Sequence, residues 1–356
     1  MGNVGVHESY GEELSMKRSK MVRRGLLRSG VLTFAAAMVM AAPARADSSQ
    51  VTLALPSVNI SFTALYLAED LHLWTDQGLE VKTIVIPGVG TNNAVINGSV
   101  QFAIGSSDAL TRAYTHGQHL QAIGAGVKKT MEWVMIRKEV AEAAHFDPSA
   151  PLAERAKILK GRTIAITGVG SLPDAVLKSV AAEAGIRGSD LVTPTMLPPE
   201  IMAAWKTKRI EGFSNAMPYA QQVMADGSGV MVSDPTKGEP TKFFPIAASI
   251  VTVRADYCPA HADNCTKFMN GMIAGMKIVI SDREKTMAEM KKRFPAYDDT
   301  VLGMAYDALK DAENYPPRVD PKAIENGDRM NIAAGFLKPE EKMSDYRPLI
   351  DDSYIK

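Results

Sequence analysis

The chain holds 356 residues, with 40 Lys and Arg against 40 Asp and Glu, 46% apolar residues and two cysteines. That length allows two ordinary domains, and the ordinary apolar and charged fractions exclude global disorder and collagen-like repeats. A formal charge of zero excludes the simplest nucleic-acid binder, and two cysteines alone cannot build a zinc ribbon or an iron–sulfur cluster.

The charge balance hides a split. Residues 1–46 hold seven basic and three acidic side chains, which leaves 33 basic and 37 acidic ones in a mildly acidic remainder. Met16 to Ala46 reads as an export signal, with a basic stretch, the uncharged run 30–42 and Ala44-Arg45-Ala46 as a small-x-small cleavage site after Ala46. Residues 1–15 carry no targeting logic, so Met16 is an alternative start. The uncharged run spans about 20 Å as a helix against a hydrocarbon core of roughly 30 Å, which disfavours a membrane anchor. Arg23-Arg24-Gly25-Leu26-Leu27 resembles a twin-arginine signal, with Val22 where Ser or Thr is usual, so the export route stays open. The expected mature protein starts at Asp47 and is soluble and exported. In an oxidising compartment Cys258 and Cys265 are expected to form a local disulfide, two free thiols being the alternative.

Strand and helix signals then alternate. Val51–Leu55 predicts a strand, Ser61–Trp74 a helix, Val81–Ile86 a strand, Thr91–Asn97 a short helix and Phe102–Ile104 a strand. Ser107 or Asp108 is the expected cap of a helix through Tyr114, followed by strands at Leu120–Gly126 and Trp133–Arg137. After a charged connector, Ala141–Lys160, the pattern restarts. Strands are expected at Thr163–Thr167, Val192–Met196, Gly212–Asn215 and Val230–Ser233, with helices at Pro173–Ala184 and Pro199–Lys206. From Cys265 the chain reads as helical: Thr266–Ser281, Arg283–Arg293, Asp298–Asp311 and Pro321–Phe336. The alternation predicts mostly parallel sheets covered by helices, and its double start predicts two lobes.

Two glycine loops echo each other. Pro87-Gly88-Val89-Gly90-Thr91 and Thr167-Gly168-Val169-Gly170-Ser171 each follow a strand and open a helix, where free amides and the helix dipole suit an anion or a carbonyl oxygen. Neither completes a dinucleotide or P-loop motif, and plain turn punctuation is the alternative. There is no G-x-S-x-G elbow and no H-E-x-x-H; His116 and His119 flank a Gly117 turn, and no metal site or cofactor is expected. What remains is a set of polar residues at helix starts: Asn59, Ser61, Thr91, Asn92, Ser106, Ser107, Ser171 and Asn215. In open α/β sheets such loops gather beyond the carboxyl ends of strands, where two lobes enclose a small molecule.

Several ordered segments carry a family resemblance. They are Ala64-x-x-x-Ala68 with Leu73; Gly78-Leu-Glu-Val81; Asn97–Gly105, with Gln101 where an acid is usual; Leu159–Thr167; Gly170-Ser171; and Lys208–Gly212 with Met217-Pro-Tyr219. In this set, over about residues 50–255, the chain resembles the exported solute-binding proteins of ABC importers, in the nitrate/sulfonate/taurine branch that includes pyrimidine-precursor binders. The resemblance implies an α/β, two-lobed periplasmic-binding-protein type II fold with two crossing hinge strands, near Met131–Met135 and Phe244–Thr252, and a helical C-terminal tail. Its implied divisions are 1–46 signal peptide, 47–132 lobe I, 133–249 lobe II, and 250–356 the return to lobe I with the helical region. The ligand residues implied by the resemblance are Ser61, Phe62, Gly88, Gly90, Thr91, Ser106, Ser107, Ser171 and Asn215, to which the helix starts and glycine loops add Asn59 and Gly170. Phe62, Trp133 and Tyr219 are candidates for an aromatic wall, although Trp133 also reads as hinge packing; Trp205 reads as core, and Arg112 is the nearest base.

The resemblance implies capture of a small organic anion, a sulfonate or carboxylate with an aromatic one among the options, and delivery to an ABC permease in the inner membrane. The expected protein is a periplasmic monomer with no cofactor and no nucleic-acid partner. A ligand sensor of the same fold is the alternative. An enzyme is disfavoured, since the cysteine-rich motif of the related synthase branch is absent.

Overall fold

The computed structural model describes residues 49–88 and 90–356; the expected export signal and its cleavage after Ala46 lie outside them. The chain opens with β1 (Ser49–Leu55), α1 (Thr63–Asp70), β2 (Leu79–Val85), α2 (Gly90–Ile96), β3 (Phe102–Gly105), α3 (Ser107–Thr115) and β4 (Leu120–Val127). Next come β5 (Glu132–Arg137), α4 (Lys138–Ala143), α5 (Leu152–Arg155), β6 (Ile164–Ala165), α6 (Leu172–Glu183), α7 (Pro198–Lys206), β7 (Gly212–Ala216), α8 (Tyr219–Ala225) and β8 (Gly229–Ser233). It returns through β9 (Ser249–Arg254) and ends in α9 (Tyr257–Ala260), α10 (Ala262–Ser281), α11 (Arg283–Arg293), α12 (Asp299–Ala312) and α13 (Pro321–Ala333).

These strands form two sheets, ordered β2-β1-β3-β9-β4 and β6-β7-β5-β8. Both are mixed rather than mostly parallel, because each holds one reversed strand between two neighbours. β9 runs antiparallel to β3 and β4, and β5 antiparallel to β7 and β8. The reversed strands are the two that enter from the other sheet, so each begins at the edge where the sheets face one another. The links between sheets are residues 128–131 and 234–248, which overlap the starts of the predicted crossings. There Ile246 N–H donates to the Lys128 carbonyl at 3.3 Å and Ala248 N–H to the Val127 carbonyl at 3.2 Å.

Two sequence expectations need correction. Val192–Met196 forms no strand; it contributes bridges from Val192 to Thr163 and from Thr195 to Ile166, because Pro194 removes a ladder donor. The cap of α3 is the extended Ser106 rather than Ser107 or Asp108, which lie inside the first turn. Gln101, where the family has an acid, makes a local contact: its Oε1 accepts from Thr52 N–H at 2.9 Å, adding a rung where β1 and β3 begin to pair.

The helical tail closes the first sheet. Trp74 stacks on Phe268 of α10 at 5.2 Å between centroids and donates its indole N–H to the Phe268 carbonyl at 2.9 Å, while Phe268 stacks on Phe102 of β3 at 4.1 Å. Glycines on α10 permit this approach: a Cβ at Gly271 would meet the Trp74 ring at 2.2 Å. Cys258 and Cys265 form the expected disulfide, joining α9 to α10 with Cα atoms 5.8 Å apart. One continuous core runs through both halves, from Phe102 and Phe268 to Trp133, Trp205 and Phe213. Among the described residues no helix is long and apolar enough to cross a membrane.

Candidate functional site

A cleft of about 770 Å³, open solvent at its mouth counted in, lies where the two sheets meet. β1, β2 and β3 end there at Pro56, Gly88 and Ser106, and β6 and β7 end there at Thr167 and Asn215. The reversed strands contribute their first residues, Glu132 of β5 and Ser249 of β9. The two glycine loops face each other across it: a Cβ on Gly168 would stand 3.9 Å from Gly88 Cα. Gly88 and Gly170 have φ of 61° and 74°, a left-handed geometry that glycine adopts without steric cost.

Nine of the predicted contact residues line this cavity. Asn59, Ser61, Phe62, Gly88, Thr91 and Ser106 come from the first half of the chain, and Gly170, Ser171 and Asn215 from the second. Three do not. Trp133 is 1% exposed in the core, because Glu132 takes the cleft side and the strand alternation turns its neighbour away. Ser107 is fully buried against α13, where a Cβ on Gly327 would meet its Oγ at 2.5 Å. Gly90 packs on Ile86 behind the loop. Tyr219 lies outside the cavity too, and lines a separate groove with Val58 and Leu197.

The helix-start amides are less free than the sequence implies. Gly170 N–H donates to the Asp174 carboxylate at 2.8 Å, Ser107 N–H to the Ala247 carbonyl at 2.9 Å and Ser61 N–H to Asn59 Oδ1 at 2.9 Å. The unsatisfied polarity sits on side chains instead. Ser61 Oγ, Asn215 Nδ2 and Glu132 Oε2 are buried atoms of cavity-lining residues without a hydrogen-bond partner. Asn215 is oriented by its other end, since its Oδ1 accepts from Ala216 N–H at 2.9 Å, which leaves the amide donor for a ligand. Buried polar atoms are rarely left unpaired, so three around one cavity mark a place for an occupant.

Glu132 is the residue that the sequence reading misses. Burial pushes its carboxyl up to about 8, and the nearby Asp108 carboxylate adds to the rise. Glu313, beside the link at Val127, is likewise raised by burial to about 8, opposed by Lys128. Both ionise near 4.5 when free of the fold, so between about pH 4.5 and 8 the folded chain binds more protons than the unfolded one. Stability from these groups therefore falls as pH rises through that window, by up to about 1.4 kcal/mol per pH unit for each, and levels off above it. Carboxylates held low, such as Glu139 at about 2, complete their contribution below pH 5. The melting midpoint of the unliganded chain is expected to drop between pH 5 and 8, with a shallower slope in Glu132→Gln; a rising midpoint contradicts the assignment.

Arg112 is a latch rather than a ligand base. Its Nη2 donates across the cleft to the Gly170 carbonyl at 2.6 Å, its Nη1 to Asn331 Oδ1 at 2.5 Å, and its guanidinium lies over Phe336 at 4.9 Å. α3 is thereby tied to the loop before α6. Arg112→Met removes the tie, and is expected to raise the radius of gyration of the unliganded chain in small-angle scattering and to weaken ligand binding about tenfold. An unchanged scattering profile with unchanged affinity contradicts this role.

A family profile described as NMT1/THI5 like matches residues 59–286, more than half of the chain. The chain belongs to the NMT1/THI5-like family. No curated protein matches its sequence. The fold of this NMT1/THI5-like chain recurs in solved structures of low identity. A protein from Bordetella bronchiseptica RB50 shares 17% identity over 87% of this chain and 96% of its own, with a TM-score of 0.77. The alkanesulfonate-binding protein SsuA from Xanthomonas axonopodis pv. citri, bound to MOPS, shares 16% over 86% and 99%, with a TM-score of 0.68. The periplasmic nitrate-binding protein NrtA from Synechocystis PCC 6803 shares 14% over 86% and 87%, with a TM-score of 0.64. This is the periplasmic-binding-protein fold that the sequence resemblance implies. Among the described residues no group of three or more His, Cys, Asp or Glu is gathered as a metal site.

Proposed function

We propose that this protein is an exported solute-binding protein that captures a small organic acid between two lobes and delivers it to an ABC permease in the inner membrane. The lobes are residues 47–132 with 250–356, and residues 133–249, closing over the cleft as a periplasmic monomer without a cofactor. The observation that carries the reading is the cavity whose buried donors, Ser61 Oγ and Asn215 Nδ2, have no partner. The N-terminal ends of α3 and α6 open toward the same space through Ser106 and Ser171 and add a favourable dipole for negative charge. The printed ligand classes of the structural relatives, alkanesulfonate and nitrate, support an anionic group.

No Lys or Arg is among the residues lining the cavity, so the charge on the acid is met by dipoles and neutral donors. That favours a singly charged sulfonate or carboxylate over a dianion, which needs fixed countercharge. Phe62 supplies an apolar wall for the body of the solute. The test is thermal melting of the purified chain against nitrate, sulfate, alkanesulfonates, aliphatic carboxylates and benzoate-type acids. A bound acid at a hundred times its dissociation constant adds roughly 2.7 kcal/mol and raises the midpoint by a few degrees. The acid is expected to be recovered unaltered, and its conversion to a product overturns the carrier reading in favour of an enzyme.

A further inference from the structure

Glu132 places a carboxyl in a cleft that is to hold an acid. It opens β5, lines the cavity at 7% exposure, and its Oε2 has no partner within the chain. The charged groups on the surrounding elements do not compensate it. On α3, Asp108 is fully buried and has the same sign, and Arg112, 3.5 Å from Asp108, donates to Asn331 and Gly170. On α6, Asp174 accepts from Lys178 at 2.9 Å and from Gly170 N–H at 2.8 Å. On the link before β5, Lys129 pairs with Asp311, and Lys128 acts on Glu313. β7 and β9 present neutral residues, Ala216 opposite Glu132 in register and Ser249 on the cavity wall.

An ionised carboxyl here would repel a bound acid in a space shielded from water. A neutral carboxyl instead carries a hydrogen, and a buried O–H without an acceptor is costly in its turn. Resting on the acid-binding reading above, we propose that Glu132 binds the acidic group of the solute as a neutral carboxyl, its Oε2–H donating to an anionic oxygen. Ser61 Oγ, Asn215 Nδ2 and Glu132 Oε2 then act as three donors around one acceptor, and all three unpartnered atoms are satisfied by one solute. Burial and the Asp108 carboxylate, which raise the Glu132 carboxyl to about 8, keep it neutral at neutral pH. The proton stays on Glu132, and the seated anion holds it there more tightly. Capture is thereby linked to proton binding. Below about pH 8 the carboxyl is already neutral and affinity is constant, whereas above it each pH unit weakens binding about tenfold, because a proton must be taken up first.

The test is calorimetric titration with ethanesulfonate, propionate and benzoate, which stay ionised from about pH 6 to pH 9. Each is titrated across that range in two buffers of different ionisation enthalpy, which counts the protons taken up on binding. In the wild type the best of the three is expected to bind equally at about pH 6 and pH 7 and about tenfold more weakly at pH 9. Proton uptake is expected to climb from near zero to nearly one per molecule bound. Glu132→Gln keeps a neutral donor, so it is expected to retain the low-pH affinity and to lose both the pH dependence and the proton uptake. Binding by the wild type that is unchanged across the range, or that strengthens as pH rises, overturns the inference and leaves the acid-binding reading standing. A pH dependence retained in Glu132→Gln overturns the assignment to this residue. No binding of any of the three, or of nitrate, at any pH overturns the acid-binding reading, and the inference falls with it. The proton count in the wild type decides the point even where the variant fails to fold.

Discussion

Asn215→Leu is expected to weaken acid binding by about a hundredfold while leaving the fold intact. Asn215 is 2% exposed near the end of β7 and lines the cavity, and its buried Nδ2 has no hydrogen-bond partner within the chain. A hydrogen bond from such a donor to a charged acceptor contributes about 1.5–3 kcal/mol, and leucine both removes the donor and puts an apolar branch where the acid sits. The cost to the empty protein is small by comparison. Leucine has a similar volume and removes an orphaned group, and the lost Asn215 Oδ1 bond to Ala216 N–H is a local one at the strand end. Calorimetric titration with the tightest acid of the melting panel, beside a denaturant titration of each form, measures both quantities. Unchanged affinity would remove Asn215 from the site.

The second large effect is on stability and lies far from the cleft. Gly275→Ala is expected to cost about 3 kcal/mol, because a Cβ there would stand 2.0 Å from the Ala64 carbonyl oxygen and 2.9 Å from its carbon. Both obstacles are backbone, so no side-chain rotation relieves the clash, and α1 and α10 must separate. The separation propagates toward the site, since α1 follows directly on the turn at Ile60–Phe62 that carries Ser61. A lowered urea midpoint together with weaker acid binding is the expected pair of results. A substitution tolerated within about 0.5 kcal/mol would show that the two helices have slack.

Much of this arrangement is legible in the sequence, for identifiable reasons. Alternating strand and helix periods mark β1 to β8, and the rule that ligands gather at the carboxyl ends of strands finds Ser106, Ser171 and Asn215. The same rule hides Glu132. β5 enters from the other sheet and runs against its neighbours, so its amino end, not its carboxyl end, faces the cleft. Nothing within a short window reveals that reversal. Trp133 misleads for a related reason: the one-residue alternation of a strand decides which of two adjacent side chains meets the ligand, and the register is set by pairing with β7 and β8.

Arg112 shows a different limit. Its neighbours in the sequence present it as a base near a glycine loop, but its partners are Gly170, 58 residues away, and Asn331, 219 residues away. The carbonyl and amide that engage it come from segments brought together only by the closed fold. Helix-start amides mislead in the same way, because Asp174 and Ala247 supply acceptors that the local motif does not display. Side chains whose two ends are both settled locally, such as Cys258 with Cys265, pose no such difficulty.

The most direct test of the central claim is a crystal structure of the chain with the acid that gives the largest melting shift. The account predicts density for one solute in the cavity between the sheets, its acidic group within hydrogen-bond reach of Ser61 and Asn215. An empty cleft with the acid bound on another surface, or a reaction product in its place, would contradict it.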